Sequence, residues 1–225
     1  MKLVLYSGGS EEDNRFLNKR ALRLTETPVP KLAFIPSSSI DAEVDFKFFV
    51  QEFSELGVQR FIHFCVDNPF SKTLLNEVLK CDLIFLGGGN TFYFLKHLRA
   101  AGMFAHFETF LKRGGVLCGL SAGGIVLTPH VHTASFPHFD RDENPFAMKN
   151  LNAGRFVNFE FFPHYKNSKR YETEMLHYSK KINIPLYACA DGGGIIVEDD
   201  QISFSGKCFQ FYQGKKLVVS QYKRV

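Results

Sequence analysis

The sequence predicts an α/β protein of three layers, in which a mostly parallel sheet carries helices on both faces and a short antiparallel meander lies at the C-terminal end. Over the first two-thirds of the 225 residues, short and almost continuously apolar runs alternate with segments of helical spacing. This alternation is typical of parallel sheets that are buried on both faces. The last third carries shorter runs separated by turn signals, which is the pattern of antiparallel strands.

Apolar runs predict five strands in the parallel part of the sheet. They span residues 2–6, 31–39, 58–64, 82–90 and 115–120, and the second and fourth continue into polar or glycine-rich loops. Amphipathic spacing predicts five helices, with Ser71 as a helix N-cap and Gly57 as a C-terminal stop. These helices span residues 11–24, 41–57, 71–81, 91–101 and 104–113.

The chain after residue 120 is less regular. A helical run follows Ser121 and ends at Pro129, and the stretch from about 130 to 155 is an irregular loop rich in His, Asp, Asn and Pro. A long loop in a compact domain is more often functional than idle. The pattern in residues 191–220 predicts the antiparallel meander, which we expect at one edge of the sheet. Its predicted turns fall at Glu198-Asp199-Asp200, Ser205-Gly206 and Gln213-Gly214.

The composition indicates one globular domain spanning residues 1–225. Apolar residues make up 45% of the chain and charged residues 22%, and no linker, repeat or low-complexity segment divides it. The net charge of +4 comes from scattered Lys and Arg residues, whereas nucleic-acid-binding proteins usually concentrate positive charge on one face. We therefore expect no nucleic-acid partner.

The sequence predicts a cytoplasmic protein without a membrane segment. Its five cysteines show no paired spacing, which argues against a disulfide framework. The N-terminal apolar run is too short for a signal peptide, and no run approaches the length of a transmembrane helix. The sequence leaves open whether the chain forms a homodimer.

The segment GVLCGLSAGGIVL contains a candidate nucleophile, Ser121, between Gly119 and Gly123. A strand that turns sharply into a helix brings two backbones together, so only small residues fit two positions before and after the turn residue. The turn residue is then exposed beside amide groups at the positive end of the helix. A hydroxyl in that position suits acyl transfer, in which the amides stabilise an oxyanion. A purely structural turn is the alternative.

A glycine run, Gly87, Gly88 and Gly89, follows the strand predicted before it, and Asn90 comes next. Ligands of open parallel sheets bind beyond the carboxyl ends of the strands, where Ser121 is also expected. The run matches neither the dinucleotide fingerprint nor the P-loop, which favours an oxyanion-binding loop over a nucleotide site. Asn90 is a candidate helix cap or substrate-binding residue.

A serine nucleophile needs a base, and His164 is the best placed of the eight histidines because it ends the apolar segment VNFEFFPH at a strand end. Asp191 follows the strand IPLYACA and is the first candidate for the carboxylate that orients the base. Its alternative role is that of a turn former, and Asp140 and Asp142 are the reserve candidates. Four other histidines lie in strand or helix patterns: His63, His97, His106 and His177.

The irregular loop contains three further histidines, His130, His132 and His138, close to Asp140 and Asp142. Their spacing matches no strong metal-ligand motif, and polar residues are expected in a loop in any case. We therefore expect neither a metal ion nor another cofactor.

Four segments, in the same order, resemble the dipeptidase E (aspartyl dipeptidase) family of serine peptidases, to which cyanophycinase is related. They are IFLGGGNTFYFLKHLR, GLSAGGIVL, FFPHYKN and ADGGGIIVEDD, and the match covers most of the chain. The resemblance implies a glutamine-amidotransferase-like fold with serine where those enzymes carry cysteine. It also implies hydrolysis of dipeptides or very short peptides, with N-terminal aspartate as the associated specificity.

Carried over to this chain, the resemblance makes Ser121 the nucleophile, His164 the base and Asp191 the third member of a triad. It places the oxyanion hole at the Ala122 amide together with Gly88 or Gly89. An aspartate side chain in the substrate needs a cation, and the sequence offers three candidates for it: Arg141, Arg155 and Arg170.

Two other functions stay open at the level of sequence. An esterase or amidase of the α/β-hydrolase type places its carboxylate between serine and histidine, so Asp140 or Asp142 would matter more than Asp191. A non-catalytic binding module would keep the turn at Ser121 only as a scaffold. The chain order Ser121, His164, Asp191 favours the peptidase.

Overall fold

The structure, a computed structural model, describes residues 1–40, 42–199 and 201–219. Strands and helices alternate up to residue 120, and strands predominate after it. The strands are β1 (Lys2–Tyr6), β2 (Lys31–Ile35), β3 (Arg60–His63), β4 (Leu83–Leu86), β5 (Val116–Leu120), β6 (Glu160–Phe162), β7 (Leu186–Cys189), β8 (Gly194–Glu198), β9 (Gln201–Ser205), β10 (Cys208–Tyr212) and β11 (Lys215–Val218). The helices are α1 (Glu11–Leu24), α2 (Ala42–Ser54), α3 (Lys72–Leu79), α4 (Thr91–Ala100), α5 (Met103–Lys112), α6 (Ala122–Ile125) and α7 (Lys169–Ser179).

The seven-stranded main sheet has the order β3-β2-β4-β5-β1-β8-β9. Its first five strands are parallel, and β8 and β9 extend it in the antiparallel direction. A second sheet has the order β11-β10-β7-β6, in which β6 and β7 are parallel and the other pairs antiparallel. The predicted fold class is confirmed. The predicted meander, however, is divided between the two sheets, because the chain turns at Gly206 and β10 pairs with β7.

Alternating side chains of the main sheet fill two cores, because successive residues of a strand point to opposite faces. Leu3 and Leu5 of β1 pack with α3, α4 and α5, whereas Val4 and Tyr6 pack with α1 and α2. The second sheet adds Tyr187 of β7 to the first of these cores, and its residues also pack with α7. The three layers therefore follow from the apolar character of both faces of β1.

The helix ends follow local signals. Ser71 caps α3 by accepting a hydrogen bond from the Leu74 amide, as predicted. The helix predicted over residues 41–57 ends earlier, at Ser54, and Gly57 then turns the chain with a φ of +92°. Asp41, at the start of that predicted helix, lies outside the described residues, as does Asp200 in the first predicted turn of the meander.

The predicted helical run between Ser121 and Pro129 is too long, since α6 has only four residues. The chain leaves the helix because the carbonyl groups of residues 126–129 accept hydrogen bonds from amides of residues 153–156. Between residues 130 and 159, a 3-10 turn at His132–Ser135 is the one helical segment among the described residues. We call residues 130–159 the long loop. None of the described helices has the length and apolar character that crossing a membrane requires.

Candidate active site

Ser121, His164 and Asp191 form one chain of hydrogen bonds at the carboxyl edge of the main sheet. The Nε2 atom of His164 lies 2.9 Å from Ser121 Oγ, and its Nδ1 atom lies 2.7 Å from Asp191 Oδ1. A carboxylate on Nδ1 orients the ring so that Nε2 faces the hydroxyl. The structure thus brings together the three residues that the sequence selected for these roles. The reserve carboxylates, Asp140 and Asp142, bond elsewhere.

The sharp turn at Ser121 depends on the two glycines around it. Ser121 has φ 49° and ψ −111°, a backbone conformation that costs energy in a residue with a side chain. A Cβ atom on Gly119 would collide with the Gly123 carbonyl, and one on Gly123 would collide with the Leu86 carbonyl. The amide of Ser121 donates to Tyr6 O at 2.9 Å. Small neighbours and an anchor on β1 therefore hold the half-buried serine in place.

His164 is held by Ser7, a residue that the sequence analysis did not single out. The His164 amide donates to Ser7 Oγ at 2.7 Å, and that hydroxyl donates to the Cys189 carbonyl at 2.7 Å. Ser7 is fully buried, so this pair of bonds is protected from water. The sequence pattern that could have indicated this role is a small polar residue between an apolar strand and a glycine pair.

Gly8, next to Ser7, makes room for the histidine and the carboxylate. A Cβ atom on Gly8 would collide with His164 Cε1 and with Asp191 Oδ1. The Gly8 carbonyl accepts a hydrogen bond of 2.8 Å from the Gly192 amide, which ties the segment after Asp191 to the end of β1. The close approach of these two segments therefore requires glycine at position 8.

The predicted oxyanion hole faces Ser121. The Cβ position of Gly88 lies 3.7 Å from Ser121 Cβ, and the Gly89 backbone has a φ of +130°, which favours glycine. In the described part of the chain, the amides of Gly88 and Ala122 have no backbone acceptor. Amide groups that are unpaired and close to a nucleophile are suited to stabilising an oxyanion.

A cleft of about 340 Å³ opens beside Ser121 and His164. Its walls combine apolar side chains with two carboxylates from the long loop, Asp140 and Asp142. Asp142 Oδ2 accepts a hydrogen bond of 2.7 Å from the Thr91 amide. Asp140 Oδ2 accepts one of 2.6 Å from the Tyr171 hydroxyl, and burial together with this bond raises the pKa of Tyr171 to about 12. The apolar walls come from Ile125, Ala134, Phe136, Phe162 and Pro163.

Asn90 is a helix cap, which was one of its two predicted roles. Its Oδ1 atom accepts from the Tyr93 amide at 2.9 Å, and its Nδ2 atom donates to the Glu143 carbonyl at 2.8 Å. Both ends of the side-chain amide are therefore engaged within the protein. Asn90 fastens the long loop to α4 and does not line the cleft.

The three predicted arginines lie outside the cleft. Arg141 lines a neighbouring hollow of about 510 Å³, to which Asp142 also contributes. Arg155 is exposed and its amide bonds to the Thr128 carbonyl. Arg170 stacks on Phe139 at 3.3 Å from the ring centroid. The described residues that line the cleft include no Lys or Arg, but the hollow that Arg141 lines shares Asp142 with the cleft.

A hydrogen bond between His130 and Glu160, which no sequence motif indicated, fixes the start of the long loop. Glu160 of β6 is fully buried, and its Oε1 atom lies 2.9 Å from His130 Nδ1. Burial raises the pKa of Glu160, and the hydrogen bond from His130 partly opposes that shift. His130 is thus engaged with Glu160, and the described residues contain no cluster of three or more potential metal ligands.

The fold and the site together define a class of protein. A serine on a sharp strand-to-helix turn, bonded to a histidine and a carboxylate at the edge of a parallel sheet, is the arrangement of hydrolases with a nucleophile elbow. The sequence profile of Peptidase family S51 matches residues 3–205. The chain therefore belongs to this family of peptidases.

Individual relatives agree with this assignment. The chain is 28% identical over 207 residues to "Uncharacterized peptidase YgaJ" of Bacillus subtilis (strain 168), which covers 90% of this chain and 86% of the relative. It is 38% identical to "Peptidase E" of Salmonella arizonae over 61 residues, or 27% of each chain. The resemblance carried by the four sequence segments is confirmed.

Two solved structures share the fold. A putative peptidase E protein from Listeria monocytogenes EGD-e superposes with a TM-score of 0.71 at 20% identity, covering 91% of this chain and 98% of that chain. A peptidase from an acI-B1 Actinobacterium superposes with a TM-score of 0.74 at 17% identity, covering 99% of this chain and 95% of that chain.

Proposed function

We propose that this peptidase is of the serine type and hydrolyses dipeptides and very short peptides through an acyl-enzyme on Ser121. The observation that carries this proposal is the chain of hydrogen bonds from Ser121 through His164 to Asp191. An esterase with a carboxylate between serine and histidine is disfavoured, because His164 bonds to Asp191 and the carboxylates of the long loop bond to Tyr171 and to the Thr91 amide.

In the first half of the reaction, His164 Nε2 accepts the hydroxyl proton as Ser121 Oγ attacks the carbonyl carbon. The carbonyl oxygen becomes an oxyanion, which the amides of Ala122 and of Gly88 or Gly89 stabilise. His164 then gives the proton to the amide nitrogen, the C–N bond breaks, and the amine leaves.

In the second half, a water molecule attacks the ester carbonyl and passes a proton to His164. The second oxyanion occupies the same site as the first. When it collapses, the ester bond to Ser121 breaks, the acid product leaves, and His164 returns the proton to Oγ. Asp191 keeps the ring in one tautomer and stabilises its charged form throughout.

The substrate is expected to carry a free amino terminus close to the scissile bond. Asp140 and Asp142 supply two carboxylates to the cleft that holds Ser121, and no Lys or Arg lies among the described residues that line it. An ammonium group is attracted to such a site, whereas the blocked end of a longer chain offers no charge to it.

Specificity for N-terminal aspartate is the narrower form of this proposal. The side chain of such a residue needs a cation, and Arg141 is the candidate next to the cleft. If Arg141 reads that carboxylate, Arg141→Ala should raise the KM for Asp-Leu and leave the KM for Ala-Leu unchanged. Equal effects on the two peptides would show that Arg141 does not recognise the aspartate side chain.

A cytoplasmic location completes the proposal. No disulfide joins cysteines within the described residues, and four of the five cysteines are buried. Buried thiols are compatible with a reducing compartment. Fractionation of the native cells, followed by immunodetection, tests this location directly.

The test compares the wild-type protein with Ser121→Ala. Both are incubated with Asp-Leu, Glu-Leu, Ala-Leu, isoaspartyl-Leu, N-acetyl-Asp-Leu and an aryl ester, and the released amino acids or phenol are quantified. We expect cleavage of dipeptides with a free amino group, little cleavage of the acetylated one, and loss of activity in the variant. Cleavage of the ester alone would overturn the peptidase specificity proposed above.

A further inference from the structure

A second pocket, of about 410 Å³, lies on the other side of the glycine loop from the cleft. Gly89 lines both cavities. Leu120, which lines the second pocket, is directly followed by Ser121, which lines the cleft. The two cavities therefore meet at Gly89 and at the turn that carries the nucleophile. We call this cavity the aromatic pocket, because its walls include Tyr6, Phe34, Phe48, Phe49 and Phe85.

The charged side chains that line the aromatic pocket are carboxylates, which accept hydrogen bonds. Asn14 is 7% exposed, and its buried Oδ1 atom has no hydrogen-bond partner in the described part of the chain. Glu52 and Asp45 add two carboxylates, and no Lys or Arg is found among the described lining residues. Asn18 donates to Glu52 Oε1 at 2.6 Å. A buried acceptor without a donor is costly, so the pocket is complementary to a ligand that donates hydrogen bonds.

The charge of a suitable ligand follows from Glu52. Burial raises the pKa of this carboxyl, and the hydrogen bond from Asn18 partly opposes the shift. A bound cation would favour the ionised form of Glu52, whereas an acidic ligand would be repelled by it. The aromatic rings of the pocket also favour a cationic ligand, because the face of a phenyl ring attracts a cation.

Phe48 shows where the ligand enters. Its side chain is 66% exposed although it lines the aromatic pocket. The rings behind it are packed against each other, with the centroids of Phe34 and Phe49 5.0 Å apart and those of Phe49 and Phe85 5.3 Å apart. An exposed phenyl group over a rigid aromatic wall can cover the aliphatic stem of a long side chain.

We propose that the aromatic pocket binds the basic side chain, Lys or Arg, of the residue on the leaving-group side of the scissile bond. This inference rests on the proposed function, in which Asp140 and Asp142 hold the amino terminus in the cleft and the other residue crosses Gly89. An apolar side chain would leave the Asn14 acceptor unpaired. An acidic one would face the carboxylates of Asp45 and Glu52.

Cleavage kinetics test the specificity. With the first residue held constant, kcat/KM is measured for Ala-Lys, Ala-Arg, Ala-Leu and Ala-Glu. We expect the two basic peptides to exceed Ala-Leu by about tenfold and Ala-Glu to be the poorest substrate. In Glu52→Gln and in Phe48→Ala the ratio of Ala-Lys to Ala-Leu should fall to within about threefold. Glu55→Gln is the matched control, since Glu55 lies just after α2 and outside the pocket.

Binding separates this inference from the proposed function. The Ser121→Ala protein is titrated calorimetrically with Ala-Lys, Ala-Leu and Ala-Glu. The same titrations are repeated with the double variant that carries both Ser121→Ala and Glu52→Gln. If Ala-Lys binds more tightly than the other two peptides and Glu52→Gln abolishes the difference, the assignment of the aromatic pocket is supported. This holds even if the wild type cleaves no peptide, in which case only the proposed function fails. Equal binding of the three peptides, or equal cleavage of them, overturns the inference.

Discussion

His164 Nε2 lies 2.9 Å from Ser121 Oγ, and both residues have positive φ angles, 55° and 49° respectively. Such conformations cost energy in residues other than glycine and persist only where the surroundings impose them. Here the end of β1 imposes both. The Tyr6 carbonyl binds the Ser121 amide, and the Ser7 hydroxyl binds the His164 amide. One short segment therefore sets the distance between the two residues.

Gly8→Ala should abolish peptide cleavage while the protein still folds. The added methyl group would collide with His164 Cε1 and Asp191 Oδ1, and the side chains can move apart at the expense of their hydrogen bond. We expect kcat to fall by about 10²-fold or more, as measured with the best dipeptide substrate. Gly102→Ala, where no atom lies within 4 Å of the added carbon although the φ of +65° strains any residue with a side chain, is the control and should lose stability but keep full kcat. Equal activity of the two variants would contradict the packing argument.

Asp191→Asn should lower kcat by about 10⁴-fold at neutral pH, because the amide no longer stabilises the charged imidazole and favours the wrong tautomer. Steady-state kinetics on one dipeptide measures this effect. Asp140→Asn is the comparison, and its effect should fall mainly on KM, since Asp140 bonds to Tyr171 and not to His164. A larger loss of kcat in Asp140→Asn than in Asp191→Asn would favour the esterase-type arrangement.

Tyr171→Phe should weaken substrate binding with little change in kcat. The variant removes the hydroxyl that donates to Asp140 Oδ2 at 2.6 Å, so the carboxylate loses its anchor in the cleft wall. A hydrogen bond to a charged group contributes about 1.5–3 kcal/mol, and we expect KM to rise by about tenfold. Tyr178→Phe, which removes a buried hydroxyl without a partner in the described part of the chain, is the control. An unchanged KM in Tyr171→Phe would show that Asp140 needs no such anchor.

Glu160→Gln should change how stability depends on pH. Burial raises the pKa of Glu160 above its ordinary value of 4.5, so the folded protein holds this proton more tightly than the unfolded chain does. The stabilisation by the protonated form is complete below pH 4.5 and is lost as pH rises through the folded-state pKa. The free energy of unfolding of Glu160→Gln, relative to the wild type, should therefore increase with pH above 4.5.

Urea denaturation at constant ionic strength, between about pH 4 and about pH 7, measures this difference. Glu108→Gln is the control, because Glu108 is exposed and pairs with Lys112 on the surface of α5. If the wild type and Glu160→Gln have parallel stability curves over this range, Glu160 titrates like an exposed carboxyl and the argument from burial is wrong.

The elements that the sequence predicted best are those whose signals are local. β1 and α1 occur at the predicted boundaries, because apolar periodicity and a capping serine act within a few residues. Ser121 was identifiable because the glycines that permit the turn are adjacent to it in the chain. The extent of the helix after Ser121 was mispredicted, since distant amides compete for its carbonyl groups.

The residues that line the cleft were also less predictable, because their contacts join segments that are distant in the chain. Arg141 and Arg155 lie in a loop without periodicity and Arg170 lies in the first turn of α7, and only the fold shows that Arg170 stacks on Phe139 and that Arg155 lies on the exposed surface. The hydrogen bond of His130 with Glu160 joins residues 30 positions apart. Neither residue lies in a motif, so no signal in the chain connects them.

The sequence by itself determined the fold class, the position of the sharp turn at Ser121 and the strand-end candidates His164 and Asp191, because each rests on residue type and near-neighbour spacing. Only the tertiary structure decided which carboxylate meets His164 and which residues hold it there. Asp191, Ser7 and Gly8 reach the histidine from segments 27 or more positions away. Such contacts depend on how β1, β6 and β7 are arranged in two sheets, which is a property of the packed chain as a whole.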